Sequence, residues 1–80
     1  MTIPKDLEGI LESTPDTLSG AVRFAGTRVM VQSLLDMLHN GRTVDDFLGG
    51  FPNVTREQAE AVVKWEQNQA RKALGLQSVS

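Results

Sequence analysis

Val31, Leu34, Leu35 and Leu38 fall at i, i+3, i+4 and i+7, which places four apolar side chains on one face of a helix. The run closes at Asn40-Gly41, where glycine can take the left-handed backbone that ends a helix. The pattern then restarts. Thr43 offers an N-cap, and Asp45 and Asp46 stand in the first turn, where the helix dipole favours negative charge. Val44, Phe47, Leu48 and Phe51 carry the apolar spacing until Gly49-Gly50 weakens the segment and Pro52 stops it. Thr55-Arg56-Glu57-Gln58 has the form of a capping box, so a third helix should run to about Leu74, ended by Gly75. Its buried stripe is predicted as Ala59, Val62, Val63, Ala70 and Leu74. Three helices with connections this short define a mainly α domain. The last two, joined by Phe51-Pro52-Asn53-Val54, have the proportions of a helix-turn-helix.

Upstream the pattern is looser. Residues 6–11 suit a single helical turn, and Ser13-Thr14-Pro15-Asp16 reads as a turn because proline presets φ and aspartate can bond its own backbone. Residues 17–24 alternate weakly, with Leu18, Gly20, Val22 and Phe24 on one side, as in a half-buried strand. Ala25-Gly26-Thr27 makes a turn, and Arg28-Val29-Met30-Val31 supplies a short return strand. Two short strands are marginal alone, so the ribbon must lie on the helices or pair with another chain. The expected organisation is an N-terminal arm over 1–17, a three-helix, winged-helix-like domain with its short β-ribbon over 18–75, and a flexible tail over 76–80.

Size gives this pattern little margin. In a chain of 80 residues a single core only just offsets chain entropy, and with no cysteine there is no disulfide to staple it. Either the helices pack well or a partner chain completes the core, which makes a homodimer the expectation. The first eleven residues lack an apolar run flanked by positive charge, and no stretch approaches the ~20 apolar residues of a membrane span. A cytoplasmic protein with no membrane association is therefore expected.

Reactive chemistry finds little support. His39, the single histidine, falls near the end of the first helix, where a protonated ring would complement the helix dipole. Asp45 and Asp46 are adjacent and point about 100° apart on a helix, so with Asp36 they do not converge on one ion. The glycines mark turns and are not followed by the Lys-Ser or Lys-Thr of a phosphate-binding loop. The chain is expected to be no enzyme, with neither metal nor cofactor.

Nucleic acid is the other class to weigh. A helix-turn-helix reads DNA with the N-terminal part of its second helix, here presenting Arg56, Gln58 and Lys64. Arginine and glutamine suit guanine and adenine edges. Arg23 and Arg28 flank the predicted turn, where they serve either as phosphate contacts or as solvated edge residues that discourage strand pairing. Against this stand a net charge of −2 and the acidic Glu57 and Glu60 on the same helix. Gln58 has an ordinary role open to it as a cap. Trp65 fits a core or a dimer interface better than a base-stacking platform, because no second aromatic is near it in the chain. Met30 and Met37 read as core filler.

Gly26-Thr27-Arg28-Val29-Met30-Val31, then Leu34-Leu35, Asn40-Gly41, Thr43-Val44-Asp45-Asp46-Phe47-Leu48 and Phe51-Pro52-Asn53-Val54-Thr55, form a distinctive set over about 18–63. The set resembles the bacterial family catalogued as domain of unknown function 433. That resemblance implies a compact trihelical or winged-helix-like DNA-binding domain, related to VapB-type antitoxins of type II toxin–antitoxin pairs. By this analogy the protein is an antitoxin-like regulator that dimerises, binds operator DNA to autoregulate its operon, and neutralises a PIN-like ribonuclease. The inhibitory segment would be the arm before Leu18 or the tail after Gly75. The alternative is a homodimeric protein–protein interaction module with no nucleic-acid role.

Overall fold

The computed structural model describes residues 3–14 and 21–76. Among these, a single 3-10 turn at Lys5–Leu7 precedes strand β1 (Leu11–Glu12) and strand β2 (Arg23–Phe24). Helices α1 (Val31–His39), α2 (Val44–Gly50) and α3 (Arg56–Leu74) follow. The chain is mainly helical, with a two-stranded antiparallel sheet.

Each helix boundary has a local cause. The Val31 N–H at the start of α1 donates to the Val22 carbonyl at 3.1 Å, so the helix begins docked on the residue before β2. At its end the Asn40 Nδ2 donates to the Asp36 carbonyl at 2.8 Å, and Gly41 turns the chain with φ of +84°. Thr43 opens α2 with a full capping box: its Oγ1 accepts the Asp46 N–H and Asp46 Oδ2 accepts the Thr43 N–H, both at 3.1 Å. Asp46 thus adds two hydrogen bonds to the dipole role read from sequence. Thr55 and Gln58 build the same box at α3, at 3.1 and 3.0 Å. Gly75, left-handed at φ +72°, closes α3 and lets the Leu76 N–H reach the Arg71 carbonyl at 2.8 Å.

The ribbon differs from expectation. Leu11 pairs with Phe24 and Glu12 with Arg23, so the partner of β2 comes from upstream of it. The expected return segment contributes a single bridge, Met30 to Arg23. Two-residue strands carry no readable period, and the weak alternation before Phe24 outweighed them in the sequence. Of the strand predicted over 17–24 and the turn over 13–16, residues 15–20 lie outside the described residues. So do residues 77–80 of the expected tail.

Phe24, Leu34 and Phe47, one each from β2, α1 and α2, are wholly buried at the centre. Aromatic rings meet there: Phe24 and Phe47 have centroids 5.8 Å apart, and Phe47 and the half-buried Phe51 4.8 Å apart, both tilted. Ala59 and Val62 close the core from α3, Val54 from the α2–α3 connection, and Leu7 and Leu11 from the N-terminal segment. That segment, expected as an arm, is therefore integral to the core. The stripe predicted along α3 holds only in its first half. Ala59 and Val62 are buried and Val63 is half-buried, but Ala70 is exposed and Leu74 is 72% exposed. The cause is length. At 1.5 Å per residue the 19 residues of α3 span about 28 Å, while α1 and α2 have 9 and 7 residues, so α3 outruns them.

Gly26 tests the ribbon turn. Its φ is +77°, and nothing lies within 4 Å of where a Cβ would stand, so only backbone strain opposes a side chain. Gly26→Ala should lower unfolding free energy by about 1–2 kcal/mol in a urea titration.

Candidate functional site

The turn after β2 is held from several directions. The Thr27 hydroxyl donates to the Phe24 carbonyl at 2.8 Å and accepts the Val29 N–H at 3.1 Å. Glu12 Oε1 accepts the Gly26 N–H at 3.0 Å and pairs with Arg23 Nη2 at 3.2 Å. Arg23 is 7% exposed, and its Nη1 donates to Thr14 Oγ1 at 3.2 Å. Its Nε is buried with no hydrogen-bond partner among the described residues. Arg23 therefore faces inward, neither a solvated edge residue nor an open phosphate contact. Its backbone is flanked on both sides, by Glu12 of β1 and by the single bridge to Met30, a placement that sequence alternation could not reveal.

The other residues expected to meet DNA differ in how they are engaged. Arg56 pairs with Asp45 across the α2–α3 junction and with Glu60 one turn along at 3.3 Å. Hydrogen bonding to Asp45 first, and to Glu60 second, raises its pKa above the ordinary value. Gln58 uses both ends of its amide: Oε1 caps α3, while Nε2 donates to the Ala25 carbonyl at 3.0 Å. That second bond ties the start of α3 to the turn after β2. Arg28 in that turn and Lys64 on α3 are exposed.

Gln58→Glu separates the two jobs of this side chain. A glutamate retains the capping acceptor but presents a carboxylate to the Ala25 carbonyl. The variant should lose about 1–2 kcal/mol in chemical denaturation, more than an exposed glutamine substitution elsewhere on α3.

His39 and Asp36 line a shallow hollow with Leu35, Leu38 and Glu66. Among the described residues, no three His, Cys, Asp or Glu side chains are placed to hold a metal. The more definite concavity is apolar. A cleft of about 390 Å³ opens between the N-terminal segment, α1 and α3, walled by Ile3, Leu7, Val22, Val31, Leu35 and Trp65. Glu66 is the charged residue in its wall. Val22, Val31 and Leu35 also line an adjoining apolar hollow that reaches Met30, which is 37% exposed. The two form a continuous greasy surface. The sequence points Trp65 to a core or a dimer interface; the cleft itself joins residues from Ile3 to Glu66, and no local pattern reports it.

Helices α1–α3 packed with a two-strand ribbon, and an apolar cleft between the N-terminal segment, α1 and α3, define a small, mainly helical domain. The model of the family described as a protein of unknown function, DUF433, matches residues 11–65, and the chain belongs to that family. The crystal structure of a DUF433 member protein from Anabaena variabilis ATCC 29413 is similar to it, with a TM-score of 0.65 and 23% identity. The likeness covers 88% of this chain and 81% of that one, and it shows a shared fold. No curated protein matches. Among the described residues no helix is long and apolar enough to cross a membrane.

Proposed function

We propose that this domain is a protein–protein interaction module whose apolar cleft receives an apolar segment of another polypeptide. The carrying observation is the cleft of Ile3, Leu7, Val22, Val31, Leu35 and Trp65, apolar but for Glu66 and open to solvent. So continuous an apolar recess on the surface of one chain is what a binding site requires. Trp65 supplies the broad, rigid contact on which protein interfaces often rely. A fluorescent anilinonaphthalene sulfonate tests this directly. It should bind with blue-shifted emission and accept energy from Trp65, the chain's single tryptophan. A dye signal no greater than that of free dye in buffer, from the chain diluted until it is monomeric, ends the reading.

A second reading keeps the antitoxin-like regulator, with α2 and α3 as a helix-turn-helix that binds operator DNA and a PIN-like ribonuclease as partner. The observation in its favour is that Arg28 and Lys64 are exposed, with no ion pair among the described residues. A mobility shift on the chain's own promoter discriminates. DNA binding predicts salt-sensitive, sequence-preferring retardation, and Lys64→Ala should reduce the salt slope by about one. Retardation that is absent, or indifferent to Arg28→Ala and Lys64→Ala, leaves the interaction module standing alone.

A further inference from the structure

The C-terminal end of α3 projects beyond α1 and α2. From Gln69 to Leu76 every residue except Arg71 is exposed, and Leu74 and Leu76 are 72% and 59% exposed. These are the largest apolar side chains left in solvent among the described residues, apart from Met30 at the cleft. The face of α3 that packs inward through Ala59 and Val62 continues at helical spacing as Glu66, Ala70 and Ala73, with Leu74 beside them. One half of an amphipathic face is thus covered by the domain, and the other half is bare.

We propose that the occupant of the cleft is the C-terminal end of α3 from a second copy of this chain, seated reciprocally about a two-fold axis close to Ala70. The inference rests on the docking reading and names its partner. In an antiparallel pair centred near Ala70, the Leu74 of each copy lies opposite Glu66 of the other, at the mouth of the cleft beside Trp65. Ala70 and Ala73 are small enough for the helices to approach at the 8–10 Å typical of packed pairs. Charge agrees with this placement. The incoming last turn carries Arg71 and Lys72, whereas Glu66 stands in the cleft wall and Asp36 in the shallow hollow that shares Leu35 and Glu66 with the cleft. A two-fold arrangement is self-complementary and closes on itself, so it gives dimers and not filaments.

Light scattering across a concentration series, read together with acrylamide quenching of Trp65, tests the assignment. The full chain should form dimers, and Trp65 should become shielded over the same concentration range. Leu74→Asp with Leu76→Asp changes only exposed positions, so circular dichroism should show a folded domain. Its dimer dissociation constant should rise about tenfold or more, with Trp65 again open to quencher. A chain that stays monomeric at the highest attainable concentration overturns the proposal. So does a dimer in which Trp65 is as accessible as in the monomer, or one indifferent to the two aspartates. The docking reading fails separately: the double variant, with its cleft vacant, would not bind the naphthalene dye.

Discussion

Phe47→Ala should leave the domain without a cooperative thermal transition at neutral pH. The Phe47 side chain is wholly buried and stacks between Phe24 and Phe51, so truncation removes ring contacts to β2 and to the end of α2 together. Phenylalanine truncation in a packed core costs about 3–5 kcal/mol, part transfer energy and part cavity. A single core in a chain of this size rarely supplies more than about 3–5 kcal/mol, so that loss is comparable with the whole stability. Circular dichroism should show reduced helicity and a broad, featureless melt. Phe51→Ala provides the internal comparison: its ring is half-buried and should be lost at roughly half the cost, with a cooperative transition retained at lower temperature. Equal melting of Phe47→Ala and the parent chain would show that α2 does not pack over β2 as described.

How far the sequence foretold this arrangement varies with the range of the interactions. The helices were legible because their causes are local. Thr43 and Thr55 cap α2 and α3, whose apolar residues repeat every three or four positions, and Gly41 and Gly75 turn the chain after α1 and α3. The family motif set was legible for the same reason, as a string of turns and caps. The strand pairing was not, because Leu11–Glu12 and Arg23–Phe24 are each two residues long and meet across a gap of ten. Gln58 shows the intermediate case. Its capping role follows from its distance to Thr55, but its bond to Ala25 spans 33 residues and joins elements no periodicity connects. The cleft is wholly tertiary. Its walls come from the N-terminal segment, β2's approach, α1 and α3, and each residue alone reads as ordinary core. Ala70 and Leu74 are the converse: they fit the helical spacing of the stripe, yet both are exposed, because α3 outruns the helices it packs on. Hydrophobic spacing records a face and not how far along the helix that face is covered.

Glu12→Ala should cost about 3 kcal/mol, a large effect for a residue in so short a strand. The Arg23 side chain is 9% exposed and Glu12 is its charged partner at 3.2 Å, so the substitution strands a buried guanidinium whose Nε already lacks an acceptor. The same oxygen of Glu12 accepts the Gly26 N–H, and its loss also frees the turn that Thr27 and Gln58 help to hold. Glu12 is 40% exposed, and water entering from that side keeps the effect at the lower end of the range for a broken buried pair. Arg23→Met removes the charge and the orphaned Nε together while keeping an unbranched apolar stem that ends two atoms short of the guanidinium nitrogens. It should therefore change stability by less than about 1 kcal/mol, and adding it to Glu12→Ala should recover much of the loss. Urea denaturation of the parent, the two single variants and the double variant measures the coupling. If Glu12→Ala is silent and Arg23→Met keeps the fold but abolishes promoter binding, Arg23 belongs to a DNA surface after all. If the coupling is large, this arginine is held by the ribbon, and the charge a sequence reader assigns to phosphate is spent inside the domain.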